Sequence, residues 1–107
     1  MTNYVFIESR DPFESCDTEF FEATVLAVKD RGHDVTMFLV QNAVLATRKN
    51  ARRLGRLVEA GVNLLADDLS LQERGIKSDE LAPGIRQSGI DDLVDRIAQK
   101  NTKAIWH

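Results

Sequence analysis

Asp67 and Asp68 stand side by side at the end of an apolar run, with Ser70 just beyond. Two close carboxylates push one of their pKa values upward, which makes such a pair a candidate acid or base. A single aspartate at a strand end is also the place for a phosphoryl acceptor. The plainer reading has Asp68 capping the following turn and Asp67 solvated, since aspartate is among the preferred caps. A phosphoacceptor site needs paired acids after the first strand and a lysine after the last. Here Glu8 is followed by Arg10 and Asp11, and only His107 follows the last apolar run. A flavin-phosphate cradle fares no better. Residues 8–19 contain no glycine and five carboxylates, which would repel phosphate.

The chain has one cysteine, Cys16, flanked by Glu14, Asp17 and Glu19. On a helix that begins at Asp11 it joins the stripe Phe13, Cys16, Phe20, Ala23, Ala27 and is a small core residue. On a helix that begins at Asp17 or Thr18 it sits beside the positive helix end, which favours the thiolate, while the neighbouring acids oppose it. Both starts are chemically legal. Arg48, Lys49, Arg52, Arg53 and Arg56 form the densest basic cluster, expected on one solvated face opposite Leu54, Leu57 and Val58. His33 reads as a surface turn residue. Neither it nor His107 has a second ligand at metal spacing, so no metal site is expected.

The elements that would carry these residues alternate in type. Residues 4–7, 35–40 and 62–66 are continuous apolar runs, as strands buried on both faces are, with a last run at 103–106 and a short one near Ile85. Between them the period turns helical. The expected helices are one ending at Gly32, one over 51–60 ending at Gly61, and one with the stripe Ile90, Leu93, Val94, Ile97, Ala98. Ser88 and Asp91 have the spacing of a capping box, and residues 68–75 read as a short helical turn. This alternation predicts one α/β domain over 1–107, a parallel sheet with helices on both faces and right-handed crossovers. Ligands then gather at the carboxyl ends of the strands, which selects residues 8–12, 41–44 and 67–70.

Composition narrows the partners. The sequence has 107 residues, 14 Lys+Arg against 17 Asp+Glu, and a formal charge of −3. That balance argues against direct nucleic-acid binding. No apolar run is long enough to span a bilayer, the polar start is unlike a signal peptide, and a single cysteine suits a reducing cytoplasm. A chain this small gains stability by pairing with copies of itself. Phe21, Val25, Leu26 and Trp106 are the apolar residues left over for that contact.

Residues 61–76 (GVNLLADDLSLQERGI), then Asp79-Glu80-Leu81 and Pro83-Gly84-Ile85, carry a resemblance that Gly32-His33-Asp34-Val35 and residues 42–46 extend. In this order and spacing the chain resembles the DsrE/DsrF-like family of sulfur-relay proteins. The resemblance implies a three-layer α/β/α domain with a five-stranded parallel sheet, assembled as a trimer, hexamer or dimer, with no cofactor. It also implies a persulfide-bearing cysteine at the end of the third strand, and sulfur passed to a relay partner. Counted back from Arg74-Gly75, that cysteine position is Asp67, and a second one falls on Ser70. A carboxylate cannot carry a persulfide. The expected role is therefore an accessory or binding subunit rather than an enzyme. Two alternatives remain open: a sulfurtransferase that uses Cys16, and a module binding a small polar ligand through Asp67, Asp68, Ser70, Asn42 and Arg10.

Overall fold

The computed structural model describes residues 2–107. Its elements in chain order are β1 (Asn3–Glu8), α1 (Thr18–Asp30), β2 (Asp34–Leu39), a 3₁₀ helix (Gln41–Thr47), α2 (Gly55–Glu59), β3 (Asn63–Asp67), α3 (Asp68–Glu73), a short 3₁₀ turn (Ser78–Glu80), β4 (Ile85–Ser88), α4 (Ile90–Ile97) and β5 (Thr102–Trp106). The five strands are parallel, in the order β4-β3-β2-β1-β5.

Strand order and handedness together decide where the helices lie. From β1 to β4 the chain steps in one direction, so right-handed crossovers put every connecting helix on the same face. The return from β4 to β5 runs the opposite way and must cross the other face. The core divides accordingly. Phe6, Met37, Leu39 and Leu64 pack with Phe21 and Val25 of α1, Leu57 of α2 and Leu71 of α3. On the other face Val5, Ile7, Phe38, Val40 and Leu65 meet Leu93, the buried residue of α4. Successive strand residues alternate between these clusters because side chains point to opposite faces of a sheet.

Several local expectations are corrected. Helix α1 begins at Thr18, and its buried face is Thr18, Phe21 and Val25. The stripe through Phe13, Cys16, Phe20, Ala23 and Ala27 faces solvent. Both stripes have helical spacing, and strand register selected the one holding Phe21, so Phe21 and Val25 are core rather than interface. Helix α2 is shorter than its pattern, so only Arg56 of the basic cluster lies on it. In α4 the pattern is helical, yet Ile90, Val94 and Ile97 remain exposed because one helix covers that whole face. Its N-cap is Gly89, and the Ser88 hydroxyl donates to Asp92 rather than forming the Ser88–Asp91 box. Trp106 is 66% exposed on the edge strand. Gly84, at φ +88° just before β4, sits where a Cβ would lie 2.6 Å from Val58 of α2, so the chain can pass that close to α2 only with a glycine there.

Candidate functional site

In a parallel sheet a crevice opens where neighbouring strands send their chains to opposite faces. Here β3 leads into α3 on one face and β4 leads into α4 on the other, with Asp67 opposite Ser88 in register. The crevice at the carboxyl ends of these two strands is thus set by topology, and the Asp67–Ser70 turn forms its rim. A shallow depression of about 620 Å³, lined by Asp68, Leu69, Gln72, Ile76 and Gln87, opens beside it.

The two aspartates have exchanged the roles the residue pattern predicts. Asp67 is the cap: it is 8% exposed, and its Oδ2 accepts from the Ser70 amide at 3.0 Å and the Ser70 hydroxyl at 2.7 Å. Asp68, in the first turn of α3, is the exposed one, with its carboxylate beside Gly89. Asp67 ends a strand in extended geometry (φ −64°, ψ 126°), the backbone state an N-cap requires, so the first residue of the pair rather than the second reaches back over the helix start. Ser70 Oγ in turn accepts from the Gln41 amide at 2.8 Å, which ties β2's exit to α3. Gln41 adopts φ +51° there.

Asn42 and Arg74 complete this corner. The Asn42 side-chain oxygen accepts from Arg74 Nε at 3.2 Å and Nη2 at 3.0 Å, while Nη1 donates to the Ser70 carbonyl at 3.2 Å. Arg74 was not among the expected site residues, although the Arg-Gly turn pointed to its position. Asp67 and Ser70 therefore bond each other, and Asn42 joins them through Arg74.

Arg10 and Cys16 lie elsewhere. Both sit in the segment between β1 and α1, and β2 separates β1 from β3. Cys16 is exposed in the turn before α1, and no hydrogen bond joins its sulfur to another described residue. Arg10 pairs with Asp17 at 3.3 Å on an exposed surface.

A second polar cluster at this edge escaped the sequence reading. Glu8, 2% exposed at the end of β1, receives the His107 Nδ1 at 2.9 and 3.0 Å, and its Oε1 also accepts from the Arg10 amide at 3.0 Å. The other ring nitrogen of His107 lies 3.1 Å from Asp17 Oδ2. Burial works to lower the His107 pKa, but its hydrogen bonds to Glu8 and Asp17 outweigh that and raise it. The hydrogen bond from Ser15, followed by that from His107, lowers the Asp17 pKa. A carboxylate ending an apolar strand, and a histidine ending another, were the available signals. Only the pairing of β1 with β5 makes them neighbours. His33 is also more engaged than a surface turn residue: its Nδ1 accepts from the Thr2 amide at 3.3 Å and its ring lies 5.1 Å from Tyr4.

Among the described residues no group of three His, Cys, Asp or Glu side chains is placed to hold a metal ion, and no helix is long and apolar enough to cross a membrane. The layered α/β architecture and a capped turn at the β3–β4 crevice define the class. The sequence model of the DsrE/DsrF-like family matches residues 2–103, and the chain belongs to that family. Its structure is similar to the crystal structure of the YchN protein from E. coli, with a TM-score of 0.85 and 17% identity over 100% of both chains. It is also similar to MTH1491 from Methanobacterium thermoautotrophicum, a protein of unknown function, with a TM-score of 0.81 and 19% identity over 100% of both chains. At these identities the likeness is one of fold. No curated protein matches the chain in sequence.

Proposed function

We propose that this DsrE/DsrF-like protein is an accessory or binding subunit of a cytoplasmic sulfur relay, one that does not itself carry sulfur. The observation that carries this reading is Asp67. At the position where the resemblance puts the persulfide cysteine, a buried carboxylate is held by two hydrogen bonds from Ser70. Sulfur transfer needs a polarizable thiolate as nucleophile and leaving group, and a carboxylate supplies neither. Anionic Asp67 and Asp68 would also repel an incoming persulfide anion.

Assembly belongs to the same proposal. Ile90, Val94 and Ile97 on α4 and Trp106 on β5, which is in register with Ile7, are large apolar side chains exposed on the thinly covered side of the sheet. A homo-oligomer (trimer, hexamer or dimer) would bury them and supply a composite surface for a relay partner.

Mass spectrometry after incubation with a persulfide donor tests the sulfur-free role. The wild-type chain should gain no sulfur, and Asp67→Cys should gain one sulfur atom. A wild-type adduct lost in Cys16→Ser would overturn the reading in favour of a sulfurtransferase that uses the exposed Cys16.

A further inference from the structure

Asp17 breaks a local rule. It occupies the N-cap position of the 13-residue helix α1, where an aspartate ordinarily accepts an amide of the first turn, yet its side chain makes no capping bond. The carboxylate turns outward, lies 3.1 Å from His107 Nε2, and accepts from Arg10 Nη1 at 3.3 Å and from the Ser15 hydroxyl. His107 thus has a carboxylate on each ring nitrogen. Neutral imidazole has one N–H and one lone pair, so this arrangement is satisfied on both sides only by the imidazolium.

We propose that His107 is a proton-operated latch, which holds the end of the 9–17 segment on the sheet edge while the ring is protonated and releases it when the ring loses a proton. The groups facing the ring decide which end lets go. Glu8 comes from β1 with its side chain 3% exposed; Asp17 comes from the segment with its side chain 52% exposed, and Arg10 stands behind it. From α1, Phe21 lies against the imidazole with centroids 4.8 Å apart, and Glu22 is turned toward Arg53 instead. Ser9 fixes the backbone of His107 through two hydrogen bonds to its carbonyl. Glu8 cannot exchange its partner for water, whereas Asp17 can. The one proton left on a neutral ring therefore stays on Nδ1 facing Glu8, and the Nε2 lone pair is left against the Asp17 carboxylate.

That repulsion acts where the segment is weakly tied. Its start is pinned by the Arg10 amide on Glu8 and by the buried Asp11, which accepts from the amides of Phe13, Glu14 and Ser15. Its end, with Cys16 and Asp17, is tied across the chain by His107. Release of Asp17 loosens the turn that carries the thiol and frees the first turn of α1. The latch is independent of the proposed relay role, since neither sulfur nor a partner enters it.

Solution NMR on the full chain tests it by following the His107 ring and the hydrogen-exchange protection of the Thr18 and Phe21 amides, which bond the Ser15 and Asp17 carbonyls, against pH. After correction for the intrinsic pH dependence of exchange, protection should fall severalfold with the midpoint of the His107 titration. Asp17→Asn, at an exposed position, should lower that midpoint and abolish the step. Each unit of lowering corresponds to about tenfold weaker coupling between the ring proton and Asp17. His107→Gln should leave both amides weakly protected at every pH. Protection that is flat through the midpoint in the wild-type chain, or an unchanged step in Asp17→Asn, would overturn the latch.

Discussion

Two buried carboxylates end strands β1 and β3 at the same edge of the sheet, and their hydrogen-bond partners differ in kind. Asp67 at β3 is satisfied by an amide and a hydroxyl from Ser70, groups that do not titrate near neutral pH. Glu8 at β1 is satisfied largely by His107, a group that does. The first arrangement is a fixed cap that stitches β3, α3 and the exit of β2 together. The second couples the outer edge, and the segment carrying Cys16, to proton concentration. A fold can therefore keep one half of its carboxyl edge rigid while the other half responds.

Removing each carboxylate breaks the comparison most directly. Glu8→Ala should cost about 2–3 kcal/mol at pH 6, because it removes a hydrogen bond to a charged ring and leaves the Arg10 amide unpaired. Urea unfolding reads this. Asp67→Ala, by the same measurement, should cost about 1–2 kcal/mol, the loss of a cap with a buried Ser70 left unpaired.

The pH dependence sharpens the contrast. The folded-state pKa of His107 is raised, so its contribution is fully present below the ordinary histidine value of about 6.5 and is lost as pH rises through the folded value. Wild-type stability should decline over that window, Asp67→Ala should decline in parallel, and Glu8→Gln should be flatter. A parallel decline in Glu8→Gln would show that the proton is taken up elsewhere. The smallest stability effect belongs to the opposite face. Val94→Asp should change unfolding of the subunit by no more than about 0.5 kcal/mol, as exposed substitutions do. In light scattering it should disperse the proposed oligomer. Assembly that survived this change and Trp106→Glu would place the interface away from α4 and β5.

Much of this organisation was legible in one dimension. Continuous apolar runs marked β1, β2 and β3, and the clustering of polar residues at their ends marked the edge where the β3–β4 crevice lies. The stretch from Gly61 to Gly84, which holds β3 and α3, carried the resemblance to the family. What could not be read depended on choosing between equal local options. Residues 13–27 hold two apolar stripes of helical spacing, and both Asp67 and Asp68 are competent caps.

By itself the sequence determined the β/α alternation and the polar strand ends, because these depend on residue type and local period. Tertiary structure alone decided that Phe21 rather than Phe20 enters the core and that Asp67 rather than Asp68 turns inward. It also decided that Glu8, Asp17 and His107 meet. Contacts between residues about 100 positions apart follow from which strands pair and in what register, and that is settled by packing the whole sheet rather than by any neighbourhood along the chain.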